Sequence, residues 1–491
     1  MPALNVTTPS LLFASCNNPL MPFSPSISGL WSSMVEQSPA GFVWAGDAVY
    51  GDRMDFHGRF SRPTRVQATA QVLSDLYSSI LGPSNPYYPL PSAYHLGTLD
   101  DHDLGANNGD GSFELSRNGV SNEAFVDFIE RSNEGYYAGG GGEGGEDAVK
   151  ERSRRSKGVY GVKVFDFDDG GRVHHEPREG GFPAGAGGGG RTVAVFFLDC
   201  RTNKDPWPRG FDFDGGKGAG LDFLGAEQWE WFEASLKAST AHVNLVVNGL
   251  QVLSQNRVPN GNLAEDWEKF PQAKERLLEA AMGSGARNVV LVSGDVHMAQ
   301  LMGVRCRRRG GGGGAEEALY ELTTSGITHS WGTFFSPDPR QRKLWYFPYM
   351  RWCSAAFMDL AHWAMPWKEV IRGEGGELKY STSLNYAKFD FEGLPEKFTA
   401  EVRGPGGEVL VSHDFFDTGR REPSAEGEKW DCEPAGGQVM WHELLFGYVV
   451  CGAFILFVVM APVVLYCIGP VVVGAIVLGE GWRRYVVGCI M

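Results

Sequence analysis

Four short apolar runs stop abruptly at polar residues capable of chemistry. Gly41-Phe42-Val43-Trp44-Ala45 ends at Gly46-Asp47, and Thr192–Leu198 ends at Asp199. His242–Val247 ends at Asn248-Gly249, and Asn288–Val292 ends at Ser293-Gly294-Asp295. Runs this short and this rich in Val, Phe and Leu read as buried strands. Helical patterns lie among them, at Arg65–Leu81, Ala226–Ser239 and Glu265–Ala281. Strands alternating with helices predict a layered α/β fold, which assembles its sites at strand ends. Further on, Leu378–Phe391 and Phe398–Phe415 alternate in period two around Gly404-Pro405-Gly406-Gly407. That pattern predicts an antiparallel pair closing the domain.

The C-terminal region is of another kind. From Leu444 to Gly479 no residue is charged, and Glu443 and Glu480 bracket the run. A bilayer core needs about 20 apolar residues in a helix. The predicted span is Leu444–Leu465; Val471–Leu478, beyond Pro462 and Gly469-Pro470, is a kinked extension, a re-entrant piece or a short second pass. Arg483 and Arg484 follow the run and acidic residues precede it, which favours a lumenal or extracellular domain over a cytosolic one. The first residues have neither a basic n-region nor a long apolar core, so they do not read as a signal peptide.

Composition narrows the function. Of 491 residues, 59 are acidic and 44 basic, a net charge of −15, so nucleic-acid binding is not expected. Glycine numbers 66 and gathers in Gly139–Gly145, Gly180–Gly190 and Gly310–Gly314, which read as surface loops. No cysteine pair has C-x-x-C spacing, which argues against a zinc ribbon.

Five clusters could carry chemistry: Ser15-Cys16-Asn17-Asn18, Gly46-Asp47-Ala48-Val49-Tyr50-Gly51-Asp52, Asp100 through Asn108, Asp199-Cys200-Arg201, and Gly294-Asp295-Val296-His297. Tyr50, three residues after Asp47, can put a second oxygen on the same side of a turn. Asp100, Asp101, His102 and Asp103 repel one another unless a cation or hydrogen bonds compensate. In an extended Asp-x-His segment both side chains face one way, so both can reach one metal. An oxygen- and nitrogen-rich set suits two cations a few ångströms apart, the usual apparatus for phosphate ester hydrolysis.

In this order the five clusters, with Leu322 through Trp331, resemble the alkaline phosphatase D (PhoD-like) metallophosphatases, in a membrane-anchored eukaryotic form. The resemblance runs from about Ser15 to Phe415. It departs at Leu99, where the family usually has tryptophan. It implies a four-layer αββα sandwich followed by a C-terminal transmembrane helix. The boundaries expected are 1–420 for the phosphatase domain, 421–443 for a linker, 444–479 for the membrane segment and 480–491 for a short tail. The resemblance further implies hydrolysis of phosphomonoesters or phosphodiesters at a dinuclear site, with ferric iron and calcium; zinc or manganese would also suit. Cys16 and Tyr50 would bind iron and Asp47 would bridge. Asn107, or its neighbour Asn108, would bind the second ion, and Asp295 and His297 would complete the site. Arg201 would hold the phosphoryl oxygens, and His102, with Asp101 beside it, would protonate the leaving group. A catalytically silent membrane protein on the same fold is the alternative.

Overall fold

The computed structural model describes residues 8–55, 64–91, 93–138, 148–155, 157–177, 181–183, 190–212, 216–255, 257–309, 316–333, 346–417, 419, 422–425 and 428–461. Gly139–Gly145, Gly310–Gly314 and Val471–Leu478, with most of Gly180–Gly190, lie outside the described residues.

Strands form in chain order at Thr8–Ala14 (β1), Pro39–Ala45 (β2), Arg53–Asp55 (β3), Thr64–Val66 (β4), Tyr94–Thr98 (β5), Gly161–Asp166 (β6), Arg172–His175 (β7), Thr192–Phe197 (β8) and Val243–Val247 (β9). They continue at Val289–Ser293 (β10), Ala299–Arg308 (β11), Glu317–Thr323 (β12), Tyr380–Ser381 (β13), Tyr386–Asp390 (β14), Lys397–Arg403 (β15), Val409–Phe416 (β16) and Trp430–Pro434 (β17). One sheet has the order β16-β15-β14-β1-β2-β5. The other runs β13-β11-β12-β10-β9-β8-β6-β7, with β17 beside β11. β3 and β4 make a small separate ribbon.

Both sheets are mixed, and each contains a parallel set, at one end of the first sheet and in the middle of the second. β1, β2 and β5 run parallel in the first. β8, β9, β10 and β12 run parallel in the second. The four apolar runs are among these parallel strands, buried along their whole length. One apolar core contains residues of both sheets, from Phe13 and Phe42 to Val195, Leu245 and Val290. Across it Phe167 stacks on Phe391 with ring centroids 5.6 Å apart. Helices such as Pro25–Glu36, Ala70–Leu81, Gly225–Ala238 and Pro271–Gly283 connect the strands.

Local chemistry sets the helix starts. The predicted helix Arg65–Leu81 begins only at Ala70, because Thr69 caps it through Val72 N–H and Thr64–Val66 is strand. Pro271 opens the helix expected from Glu265; the residues before it form a single 3₁₀ turn, Trp267–Lys269. The predicted antiparallel closure is the β15–β16 hairpin around Gly404–Gly407, with β14 antiparallel to β15.

Two findings change the domain boundaries. The expected linker 421–443 contains β17, which pairs with β11 and carries Cys432, disulfide-bonded to Cys306 directly opposite. In addition, the chain divides into two compact units, residues 1–344 with 368–438, and residues 345–367 with 439–491. Tyr346–Ala364 thus leaves the 1–420 region and groups with the terminal helix, Trp441–Ala461.

The Cys306–Cys432 bond closes a chain separation of 126 residues. Cys306→Ser is expected to lower unfolding stability by about 2–4 kcal/mol. A denaturant titration of wild type with and without reductant, beside the variant, checks this; equal midpoints would contradict it.

Candidate metal centre

The C-terminal ends of the parallel strands from both sheets deliver the clusters to one place. β1 leads into Cys16, β2 into Asp47, β5 into Asp100-Asp101, β9 into Asn248-Gly249, β10 into Asp295 and β12 into Ser325. The loops are tied across the sheets. Ile327 N–H donates to Ser15 C=O at 3.2 Å and Thr98 Oγ1 to Leu198 C=O at 2.9 Å, while within one sheet Asn17 N–H donates to Asp47 C=O at 2.8 Å.

The carboxylates are crowded. Ligand oxygens of Asp47, Asp100, Asp101 and Asp295 all lie within 4.8 Å of one another, and Asp47, Asp101 and His102 form a second such group. Tyr50 Oη donates to Asp47 Oδ2 at 3.2 Å. Cys16 Sγ lies 3.6 Å from the same Asp47 oxygen and 3.0 Å from Ser325 Oγ. The turn after β2 therefore does put tyrosine and aspartate on one side, with the thiol beside them.

The backbone is distorted at these residues. Seven described non-glycine residues have positive φ, and five of them, Cys16, Asp47, Asn108, Asp295 and His297, belong to this site. Such strain persists only where surrounding structure over-determines it, and it gathers at functional sites. The Asp295-Val296-His297 segment consequently differs from the expected extended form: φ is 63° at Asp295 and 54° at His297. Ser325 Oγ accepts the His297 N–H at 2.8 Å and fixes the bend.

Electrostatics give the same picture. Burial, and then the charge of Asp101, hold Asp47 well above the usual carboxylate range. Burial also raises Asp295, with Asp100 the next cause. Asp100 is pushed up to about 7 by burial, with Arg201 opposing. Burial pushes the Cys16 thiol up to about 12 and the Tyr50 phenol well above its ordinary value. His297 is lowered to about 4 by burial, then by His102. Asp101 is the exception: burial raises it, but His102, Arg201 and the Asn108 N–H together bring it below the usual range.

Groups like these fit cations. Among the described residues, the buried Asp100 Oδ2 and His297 Nδ1 have no hydrogen-bond partner. A bound cation would supply the missing partner and would favour the ionised carboxylates, thiolate and neutral imidazole that burial alone opposes or leaves unmatched. Carboxylate, phenolate, thiolate and imidazole together suit one softer and one harder metal ion.

The remaining predicted residues divide. The Asn107 amide donates to Asn108 Oδ1. Asn108 donates its own N–H to Asp101 Oδ2 at 2.5 Å. His102 Nδ1 meets Asp52 Oδ1 at 2.5 Å, and its ring stacks on Tyr50 at 3.9 Å. Arg201, expected to hold phosphoryl oxygens, stands among carboxylates. It is fully buried, its Nε donates to Asp100, and its Nη1 and Nη2 donate to the two Glu265 oxygens at 2.9 and 2.8 Å. A guanidinium held in this way orders the Asp100 and Glu265 carboxylates. Asp199, next to it, accepts the N–H groups of Arg201 and Thr202 and shapes the loop.

Three contributors escaped the sequence reading. Glu265 is 64 residues from Arg201 and has no local signature; Ser325, 309 residues from Cys16, lies in the Leu322–Trp331 stretch but had no stated task. Asp52 was visible in the Gly46–Asp52 cluster but had no stated task. Asp103, by contrast, is an anchor: its oxygens accept Ala48 N–H, Val49 N–H and Tyr77 Oη, holding the Asp47 turn against Ala70–Leu81.

Gly249 is a required close approach. A Cβ there would lie 2.5 Å from Asp100 Cγ. Gly249→Ala must displace the Asp100 carboxylate, so activity is expected to fall roughly a hundredfold, the scale of an ~1 Å misplacement. Turnover measured beside circular dichroism checks it; unchanged turnover in a folded variant would contradict the packing described.

Comparison with known proteins follows the same line. Residues 188–343 match the family model described as PhoD-like phosphatase. That stretch contains Arg201, Asp295 and His297, while Cys16, Asp47, Tyr50 and Asn107 precede it. A solved structure of PhoD superposes with a TM-score of 0.50 at 14% identity, covering 92% of this chain and 78% of that one. That likeness concerns the fold. No curated protein matches the chain in sequence.

Proposed function

We propose, from the premise that residues 188–343 make this chain a member of the PhoD-like phosphatase family, that it is a metal-dependent phosphoric ester hydrolase. The observation that carries the reading is the convergence of Asp47, Asp100, Asp101 and Asp295 within 4.8 Å, beside Cys16, Tyr50 and His297. Bound metal ions would supply Lewis acidity and water activation for in-line attack on phosphorus.

The chain's own residues do the rest. Cys16 and Tyr50 would hold one ion, for which ferric iron is proposed. Asp47 would bridge to a second, proposed as calcium, with Asn107 contributing. Asp295 and His297 would complete the set, and Asp100 and Asp101 are added to it. His102, whose Nδ1 meets Asp52, would pass a proton to the leaving oxygen. Arg201 is retained as a positioning residue that aims Asp100.

The uncharged C-terminal run would attach the protein to a membrane. Helix Trp441–Ala461 is long and apolar enough to cross one, and only 6% of its window is buried. The Cys306–Cys432 disulfide supports a lumenal or extracellular domain, because such bonds persist in oxidising compartments.

The test is a screen of the purified full chain, loaded with iron and calcium or with zinc or manganese, against chromogenic phosphomonoesters and phosphodiesters. Metal-dependent turnover is expected. If Tyr50 binds ferric iron, the loaded protein has a visible charge-transfer band that Tyr50→Phe bleaches. A colourless enzyme fully active with zinc or manganese alone would remove the iron assignment. No turnover with any metal pair would remove the enzyme reading.

A further inference from the structure

We propose that helix Tyr346–Ala364 lies against lipid beside Trp441–Ala461, so that the protein meets the bilayer through a pair of helices; this rests on the reading that the C-terminal run is membrane-attached. The two helices belong to one compact unit, and their contacts run antiparallel. Tyr349 Oη donates to Val458 C=O at 2.9 Å. The Trp352 and Phe357 rings lie 6.3 and 6.2 Å from Phe454. At the opposite end Trp363 lies 5.9 Å from Phe446. Gly447 has no side chain where a Cβ would run into Met365, so the helices close up there.

Much of this pair's surface is apolar and uncovered. Trp352 is 54% exposed, Trp363 70% and Trp441 73%. A water-facing surface rarely keeps large aromatics so open. Lipid is the occupant the composition selects. Aromatic residues stand at both ends of the pair, as in the belts at membrane interfaces. Arg351 and Asp359 are the only acidic or basic residues, histidine aside, in Tyr346–Ala364. Arg340, Arg342 and Lys343 just precede the helix and suit anionic headgroups. The partner helix continues into an uncharged run that reaches Gly479, far more than an interface between soluble copies needs.

The test uses the full chain in phosphatidylcholine–phosphatidylserine vesicles doped with a phospholipid carrying a photoactivatable diazirine on its acyl chain. After illumination, labelled peptides are mapped by mass spectrometry, with exposed helix Ala70–Leu81 as the background. Comparable labelling of 346–364 and 441–461, both above background, is expected. Labelling of 441–461 with 346–364 at background overturns the proposal and leaves the membrane reading standing. Both at background overturns the membrane reading as well. Cross-links between copies through 346–364, without lipid label, would assign the face to a second chain and overturn the proposal.

Discussion

A metal-stripped Asp47→Asn chain is expected to melt higher than stripped wild type, and the same chain given metal is expected to hydrolyse phosphate esters at least about a thousandfold more slowly. The two effects have one cause. Asp47 is 1% exposed and sits among Asp101, Cys16 and Asp100, so its charge is costly without a cation. Asparagine keeps the shape and removes that charge. The sign with pH follows from linkage. Folded Asp47 lies well above the ordinary value of 3.8, and Asp100 is raised from 3.8 to about 7. Below pH 3.8 both folded and unfolded carboxyls are protonated, and no penalty exists. As pH rises, the unfolded chain releases these protons first, and stability drains away until the folded groups ionise too. Stripped wild type should therefore lose stability between about pH 4 and pH 7, and Asp47→Asn should lose less. Added metal should restore the wild type most strongly at the upper end of that window. Thermal melts across pH, with and without chelator, measure all of this. A stripped variant no more stable than wild type, or one that retains hydrolysis, would remove Asp47 from the centre of the site.

Arg201→Met is expected to cost about 3–5 kcal/mol of unfolding stability, the range for breaking a buried ion pair from one side. Arg201 is completely buried and neutralises Asp100 and Glu265 together, with Asp101 at 3.8 Å. Methionine fills the space and leaves two carboxylates in an apolar setting. Trp207 Nε1 also donates to Glu265, so the indole loses its anchor in turn. Arg201→Lys should recover little, since one ammonium cannot clamp Glu265 with two parallel bonds and still reach Asp100. The double variant Arg201→Met/Glu265→Gln should be less destabilised than the single one, because one stranded charge is gone. Urea titrations separate these cases. A loss under about 1 kcal/mol for Arg201→Met would mean the guanidinium is no anchor.

Much of the site could be read from the chain because strand interiors and strand ends obey different rules. Phe42–Ala45, Val193–Phe197 and Val289–Val292 are apolar throughout, so the first polar residue after each marks where the strand ends. Parallel strands in facing sheets then bring those ends together without further instruction. Three things stayed hidden, for physical reasons. The positive φ values at Cys16, Asp47, Asp295 and His297 could not be read from residue type, since none is glycine and the preference of Asp and His for that region is weak. The role of Arg201 depends on Glu265 folding over it, a partner fixed by tertiary packing alone. β17 looked like linker because its five residues alternate only weakly and owe their place to pairing with β11 and to Cys432. Tyr346–Ala364 carries too few charges for a solvated helix and too many for a span, and its grouping with the terminal helix emerged only from contacts such as Tyr349 with Val458.

Anomalous scattering from crystals of the metal-loaded chain tests the account most directly. Two peaks about 3.5–4 Å apart are expected, the spacing of dinuclear hydrolases, flanking Asp47 and reached by Cys16, Tyr50, Asp295 and His297. Peaks elsewhere, or a loaded and active protein with no metal beside Asp47, would contradict it.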